Sequence, residues 1–146
     1  MAEPAPQSKM IDCLLGRIVI RDGADRQYIY LSEAVGERGF PIVIGNSEAG
    51  EIHRVIHGIE PDRPLTHQLT FEAIDALGAT IQTIDIIDLR QNTFYAKIVL
   101  VDAEGEIVGS LDARPSDAIA LALRAGCRIR VAEAVLDEAS RGDGTI

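Results

Sequence analysis

The chain has 146 residues, 47% hydrophobic and 25% charged, which suffices for one globular domain with a real core. Fourteen Lys and Arg against 23 Asp and Glu leave a net charge of -9, which argues against a broad basic surface for nucleic acid. No apolar run has the length of a membrane span and residues 1–9 lack the apolar stretch of a signal peptide, so a cytoplasmic protein without membrane contact is expected.

Residues 1–9 read as a disordered tail, residues 10–140 as one domain and residues 141–146 as a frayed end. Residues 11–20 carry a strand pattern, residues 21–25 a turn, residues 28–31 the hairpin partner and residues 41–44 a third strand. From Ser47 the period changes. Ile52, Val55, Ile56 and Ile59 recur at helical spacing until Gly58 or Pro61 stops the run. Residues 60–64 form a stiff connector, after which Thr66 is placed to cap a helix that ends at Gly78.

A second round of strands follows over residues 80–89, 94–101 and 107–113, with turns at 90–92 and 102–106. The next helix has Pro115 at or next to its first position and Gly126 just past its end. A short strand at residues 128–131 and a short helix at 134–140 complete the pattern. These elements predict an α+β single domain, with mixed but largely antiparallel sheets and helices packed on one side. Both rounds run strand, strand, strand, helix, and Asn46-Ser47-Glu48-Ala49 resembles Pro115-Ser116-Asp117-Ala118. If residues 11–58 and 79–126 are copies, two helix starts face each other and bring Glu48 and Asp117 within reach.

The chemistry concentrates at the start of the helix after Pro115. Asp117 and Glu48 follow serines that are placed to cap, and a first-turn acid is favoured by about 0.3–1 kcal/mol for electrostatic reasons alone. Glu48 also sits one turn before Ile52 on the inward stripe, where an unpaired carboxylate is costly. Arg114 and Asp117, three apart, can meet; Arg124 lies further along the same side. This reads equally as an ion pair that locks the joint and as a phosphate clamp beside helix N–H groups. In the second case Asp112 and Asp117 would hold Mg²⁺ or Mn²⁺, with Glu48 as a further ligand.

The other candidates weigh less. His67 follows Thr66 and is placed to act as general acid or base, although capping alone accounts for the pair. His53 and His57 are one turn apart but flank an apolar stripe and lack the glutamate of a zinc protease helix, so a solvated edge is expected. Asp88 reads as a turn former. Cys13 and Cys127 are expected to be two reduced, buried thiols.

Residues 112–126, together with Pro41-Ile42-Val43-Ile44-Gly45, Arg63-Pro64-Leu65-Thr66-His67 and Thr93-Phe94-Tyr95-Ala96, resemble the bifunctional nuclease domain family over roughly residues 39–139. Plant members of that family are credited with degrading both RNA and DNA. The resemblance implies a metal-assisted nuclease acting on RNA or single-stranded DNA. Asp112, Asp117 and His67 would serve catalysis, and Arg114, Ser116 and Arg124 would contact substrate. The alternative is a non-catalytic module that binds an anionic ligand or a protein and works as a homo-oligomer. The net acidity favours this second reading.

Overall fold

The structure is a computed structural model that describes residues 9–21, 23 and 25–142; of the tails expected at 1–9 and 141–146, residues 1–8 and 143–146 lie outside the described residues, while the Lys9 carbonyl accepts from the Glu133 N–H and the Arg141 N–H donates to the Asp137 carbonyl. Strands β1 (Met10–Val19), β2 (Arg26–Glu33) and β3 (Gly39–Gly45) form an antiparallel meander that leads into helix α1 (Asn46–His57). Helix α2 (Thr66–Ala76) follows. A second meander of β4 (Thr80–Arg90), β5 (Thr93–Val101) and β6 (Ile107–Ala113) leads into α3 (Pro115–Ala125), then β7 (Arg128–Ala132) and α4 (Glu133–Ser140).

All the strands join one sheet in the order β3-β2-β1-β7-β4-β5-β6. Among the described residues only the β4–β7 pairing is parallel, so the sheet is mixed and largely antiparallel, as the pattern of short strands predicts. The two meanders share their strand order, with the third strand of each at an edge and a helix directly after it. That is what a duplicated β-β-β-α unit requires. Glycine closes both of those helices. Gly58 and Gly126 have φ of 64° and 69°, the left-handed conformation that only a residue without Cβ adopts cheaply.

Strand alternation sends Ile29, Leu31, Phe40, Ile42, Ile84, Ile86, Ile129 and Val131 into a single core, where α3 contributes Ala118, Ile119, Leu121 and Ala122. A fully buried isoleucine is worth roughly 1.5–3 kcal/mol, so this layer is the main stabiliser. The alanines keep α3 narrow, and the sheet curls around it. Phe40 of β3 stacks on Phe94 of β5 with ring centroids 5.2 Å apart, although the two strands stand near opposite ends of the sheet order. Val135 and Leu136 of α4 enter the same core.

The other face of the sheet carries charge. Asp12, Arg130, Asp85, Lys97 and Asp112 are successive cross-strand neighbours on β1, β7, β4, β5 and β6, an alternation of sign across five strands. Arg130 grips Asp85 with two bonds of 2.8 and 2.7 Å, and Arg128 grips Asp12 with two of 2.9 Å. Cys13 and Cys127 are free thiols, Cys13 buried and Cys127 half-buried. Burial, with Glu33 and Asp12 nearby, pushes the Cys13 thiol up to about 11, which leaves it unreactive. Among the described residues no helix is long and apolar enough to cross a membrane.

Candidate active site

Three helix starts converge through their side chains. Glu48 is the third residue of α1, His67 the second of α2 and Asp117 the third of α3. None of these helices has a side-chain cap, because the residues before them are Gly45, Leu65 and Arg114 in extended backbone. The caps expected at Ser47, Thr66 and Ser116 therefore fall one or two positions inside the helices. Pro115 takes the first position of α3, where its missing N–H and fixed φ suit the helix, and this moves the boundary back to Arg114.

Arg114 ties the starts together. Its Nε donates to Asp117 Oδ2 at 2.9 Å and its Nη2 to Glu48 Oε1 at 2.5 Å, across the α1–α3 contact. His67 Nε2 bonds Asp117 Oδ1 at 2.8 Å, so the two oxygens of one carboxylate join an imidazole to a guanidinium. The expected meeting of Arg114 with Asp117, and of Glu48 with the Asp117 region, is what this geometry contains. Burial opposes ionisation of Asp117, but the bonds from Arg114 and His67 outweigh it and hold the carboxyl below its ordinary range. Those to Asp117 and Glu48 push the Arg114 guanidinium further up. Gly45 leaves room for the fold-back of Glu48, since a Cβ there would stand 2.7 Å from Glu48 Oε2.

Exposure separates these groups. The Arg114 side chain is 67% exposed, whereas those of Glu48 and His67 are 10% and 16% exposed. Glu48 and His67 are thus held in the wall, Asp117 is half-buried between them and the solvent, and the Arg114 guanidinium stands at the surface. Four of the predicted site residues, Glu48, His67, Arg114 and Asp117, form one connected cluster.

The others go elsewhere. Asp112 precedes Ala113, which packs on the core, so alternation turns Asp112 to the opposite face of β6, in register with Lys97. Arg124 reaches Glu51 of α1 at 2.5 Å rather than Asp117, and Arg54 holds the second oxygen of Glu51 at 3.1 Å. Ser116 is buried beneath the first turn of α3. His53 and His57 lie exposed on α1 with ring centroids 4.3 Å apart, the solvated edge that was expected. Asp88 bonds the Leu89 backbone N–H and Arg90 at the end of β4.

The residues expected to hold a divalent cation do not form a ligand set as arranged. A guanidinium stands between Glu48 and Asp117, and among the described residues no group of three or more His, Cys, Asp or Glu is gathered to hold a metal ion. Sequence reasoning missed Glu51, the most deeply buried carboxylate of the helix layer. Its signal was the three-residue spacing from Glu48 beside the inward Ile52.

Comparison with known proteins matches most of the chain to one family. Residues 29–142 match the bifunctional nuclease domain, a span that includes all four clustered residues. An uncharacterized protein of Mycobacterium tuberculosis strain H37Rv is 43% identical over 122 residues, covering 84% of this chain and 71% of that protein. Bifunctional nuclease 1 of Oryza sativa subsp. japonica is 26% identical over 115 residues, covering 77% of this chain and 34% of the plant protein. The bifunctional nuclease of Oryza minuta aligns to the same extent.

Proposed function

Because the chain belongs to the bifunctional nuclease domain family, we propose that it cleaves phosphodiester bonds in RNA or single-stranded DNA at the Arg114, Asp117 and His67 cluster. The observation that carries this reading is the bonded chain from His67 through Asp117 to an exposed Arg114. Arg114 offers a planar fork to phosphate oxygens, and the uncapped helix starts beside it add N–H groups that favour an anion.

With its Nε2–H on Asp117, His67 has Nδ1 to take the proton of an attacking 2′-hydroxyl or water as the new P–O bond forms. The imidazolium is stabilised by the Asp117 carboxylate and returns the proton to the departing oxygen as the scissile P–O bond breaks. Asp117 acts as the positioning residue, in the manner of the buried acid of a catalytic triad. A divalent cation could enter only by displacing Arg114 from its two carboxylates, and no step is assigned to it.

A second reading has one observation in its favour. Arg114 already holds two carboxylates, which suits a module that exchanges an internal anion for a bound one without chemistry. The deciding experiment is cleavage of fluorescent RNA and single-stranded DNA, with EDTA, Mg²⁺ or Mn²⁺, beside an Asp117→Asn preparation to exclude a contaminating nuclease. Arg114→Lys keeps the charge and loses the fork, so KM is expected to rise about tenfold, a loss of about 1.4 kcal/mol, while kcat changes less. Cleavage equal in wild type and Asp117→Asn, together with a phosphate-induced thermal shift that Arg114→Lys removes, assigns the binding module instead.

A further inference from the structure

The outer face of the β1–β3 meander carries a second set of groups suited to nucleotides. Arg17, Tyr30 and Pro41 form one cross-strand row, and Val19, Tyr28 and Val43 form the next. Arg21 continues the alternation two residues beyond Val19. These residues line an open cavity of about 860 Å³, bordered by the β4–β5 hairpin and the end of α4. That volume lies within the range of sites that take a drug-sized or nucleotide-sized ligand, roughly 300–1,000 Å³.

Charge and stacking agree with the shape. The Arg17 guanidinium lies over the Tyr30 ring, 5.7 Å from its centroid. A Cβ on Gly39 would stand 2.7 Å from Tyr30 Cε1, so the ring is seated across a glycine. Among the described residues neither Arg17 nor Arg21 forms an ion pair, whereas Arg38, Arg90 and Arg128 each hold a carboxylate. In a chain of net charge -9, two arginines left to a cavity are available for an external anion. Glu138 lines the cavity from α4, so the arginine side takes the negative end of the ligand.

The cavity is also joined to the cluster at the helix starts. Gln27 accepts from the Arg21 backbone N–H at 2.6 Å and donates to Asn46 Oδ1 at 2.8 Å, and Asn46 opens the helix that carries Glu48. We infer that the Arg17, Arg21, Tyr28 and Tyr30 face is a nucleotide subsite that holds single-stranded substrate away from the reacting phosphate. Bases stack on the tyrosines and phosphates lie on the arginines, the combination by which single strands are bound without sequence preference. The inference rests on the proposed substrate class.

The test is fluorescence anisotropy of a labelled single-stranded 12-mer, read for wild type, Arg17→Ala/Arg21→Ala and Tyr30→Leu, with thermal melts to confirm folding. Both variants are expected to bind about tenfold more weakly, and the double variant to show a log–log salt slope smaller by about 1.4, since each phosphate contact on a single strand contributes about 0.7. AMP is expected to compete with the 12-mer at concentrations where inorganic phosphate does not. Unchanged affinity in folded variants, or equal competition by AMP and phosphate, overturns the inference. If no substrate is cleaved at all, the nuclease reading falls while the anisotropy still decides the subsite.

Discussion

Asp117→Asn is expected to reduce cleavage of RNA and single-stranded DNA by about 10²- to 10⁴-fold, the range typical of a lost or misoriented general base. The amide fills the same space, so the loss should fall on kcat. It cannot hold an imidazolium by charge, and its NH₂ group can turn toward His67 Nε2 and reverse the ring's proton arrangement. Arg114 would retain only Glu48 of its two carboxylates, so phosphate competes for it more easily and KM should stay level or fall. Asp117 is held below the ordinary value of 3.8, so its folded form stays ionised throughout the neutral range and only deep acid removes the charge. The measurement is kcat and KM across pH for both proteins, with a melting curve for each. A variant that keeps wild-type kcat, or loses activity only in proportion to unfolding, removes Asp117 from the mechanism.

The order of elements was legible because turns and glycines punctuate it. Gly58 and Gly126 end helices as their left-handed φ requires, and the β-branched runs of β4 and β5 announce a hairpin. Helix starts were less legible. A serine before an acid reads as a cap, yet Ser47 and Ser116 are second residues of their helices, because Gly45 and Arg114 supply the extended backbone that a start needs. The clustering of Arg114, Asp117 and Glu48 followed from three-residue spacing and the matched joints, which are local signals.

What escaped the sequence depends on register. Asp112 belongs to an alternating row whose members come from five strands, and only the pairing of β5 with β6 places it beside Lys97. The bond of Arg124 to Glu51 joins residues 73 apart, and no local pattern states it. The same holds for the tyrosine and arginine face. Sequence composition shows few aromatics and no basic run, whereas alternation along β1 and β2 brings Arg17, Tyr28 and Tyr30 onto one surface. A net acidic chain can therefore present a local cationic and aromatic groove, because its other arginines are largely neutralised by carboxylates.

Glu51→Ala is expected to destabilise the domain by about 3–5 kcal/mol, the usual cost of removing one partner from a buried ion pair. At roughly 2–4 °C per kcal/mol for a chain of this size, the melting temperature should fall by about 6–20 °C. Glu51 is 1% exposed, and its two oxygens are taken by Arg124 and Arg54. Both arginines leave Nε buried without an acceptor, so Glu51 carries the compensation for their charge. Burial opposes its ionisation, but the bonds from Arg124 and Arg54 win and hold the carboxyl below its ordinary 4.5. A folded value below the unfolded one means that this stabilisation is present above pH 4.5 and is lost as pH falls through the folded value. Wild type should therefore lose melting temperature in acid more steeply than Glu51→Gln. Replacing Glu51 and Arg124 together by leucine should recover part of the loss, since the Arg124 charge is then removed rather than stranded and Arg54 alone is left without its carboxylate. A single Glu51→Ala that melts with wild type, or a double variant no better than the single, would show that the α1–α3 contact is held by its apolar residues alone.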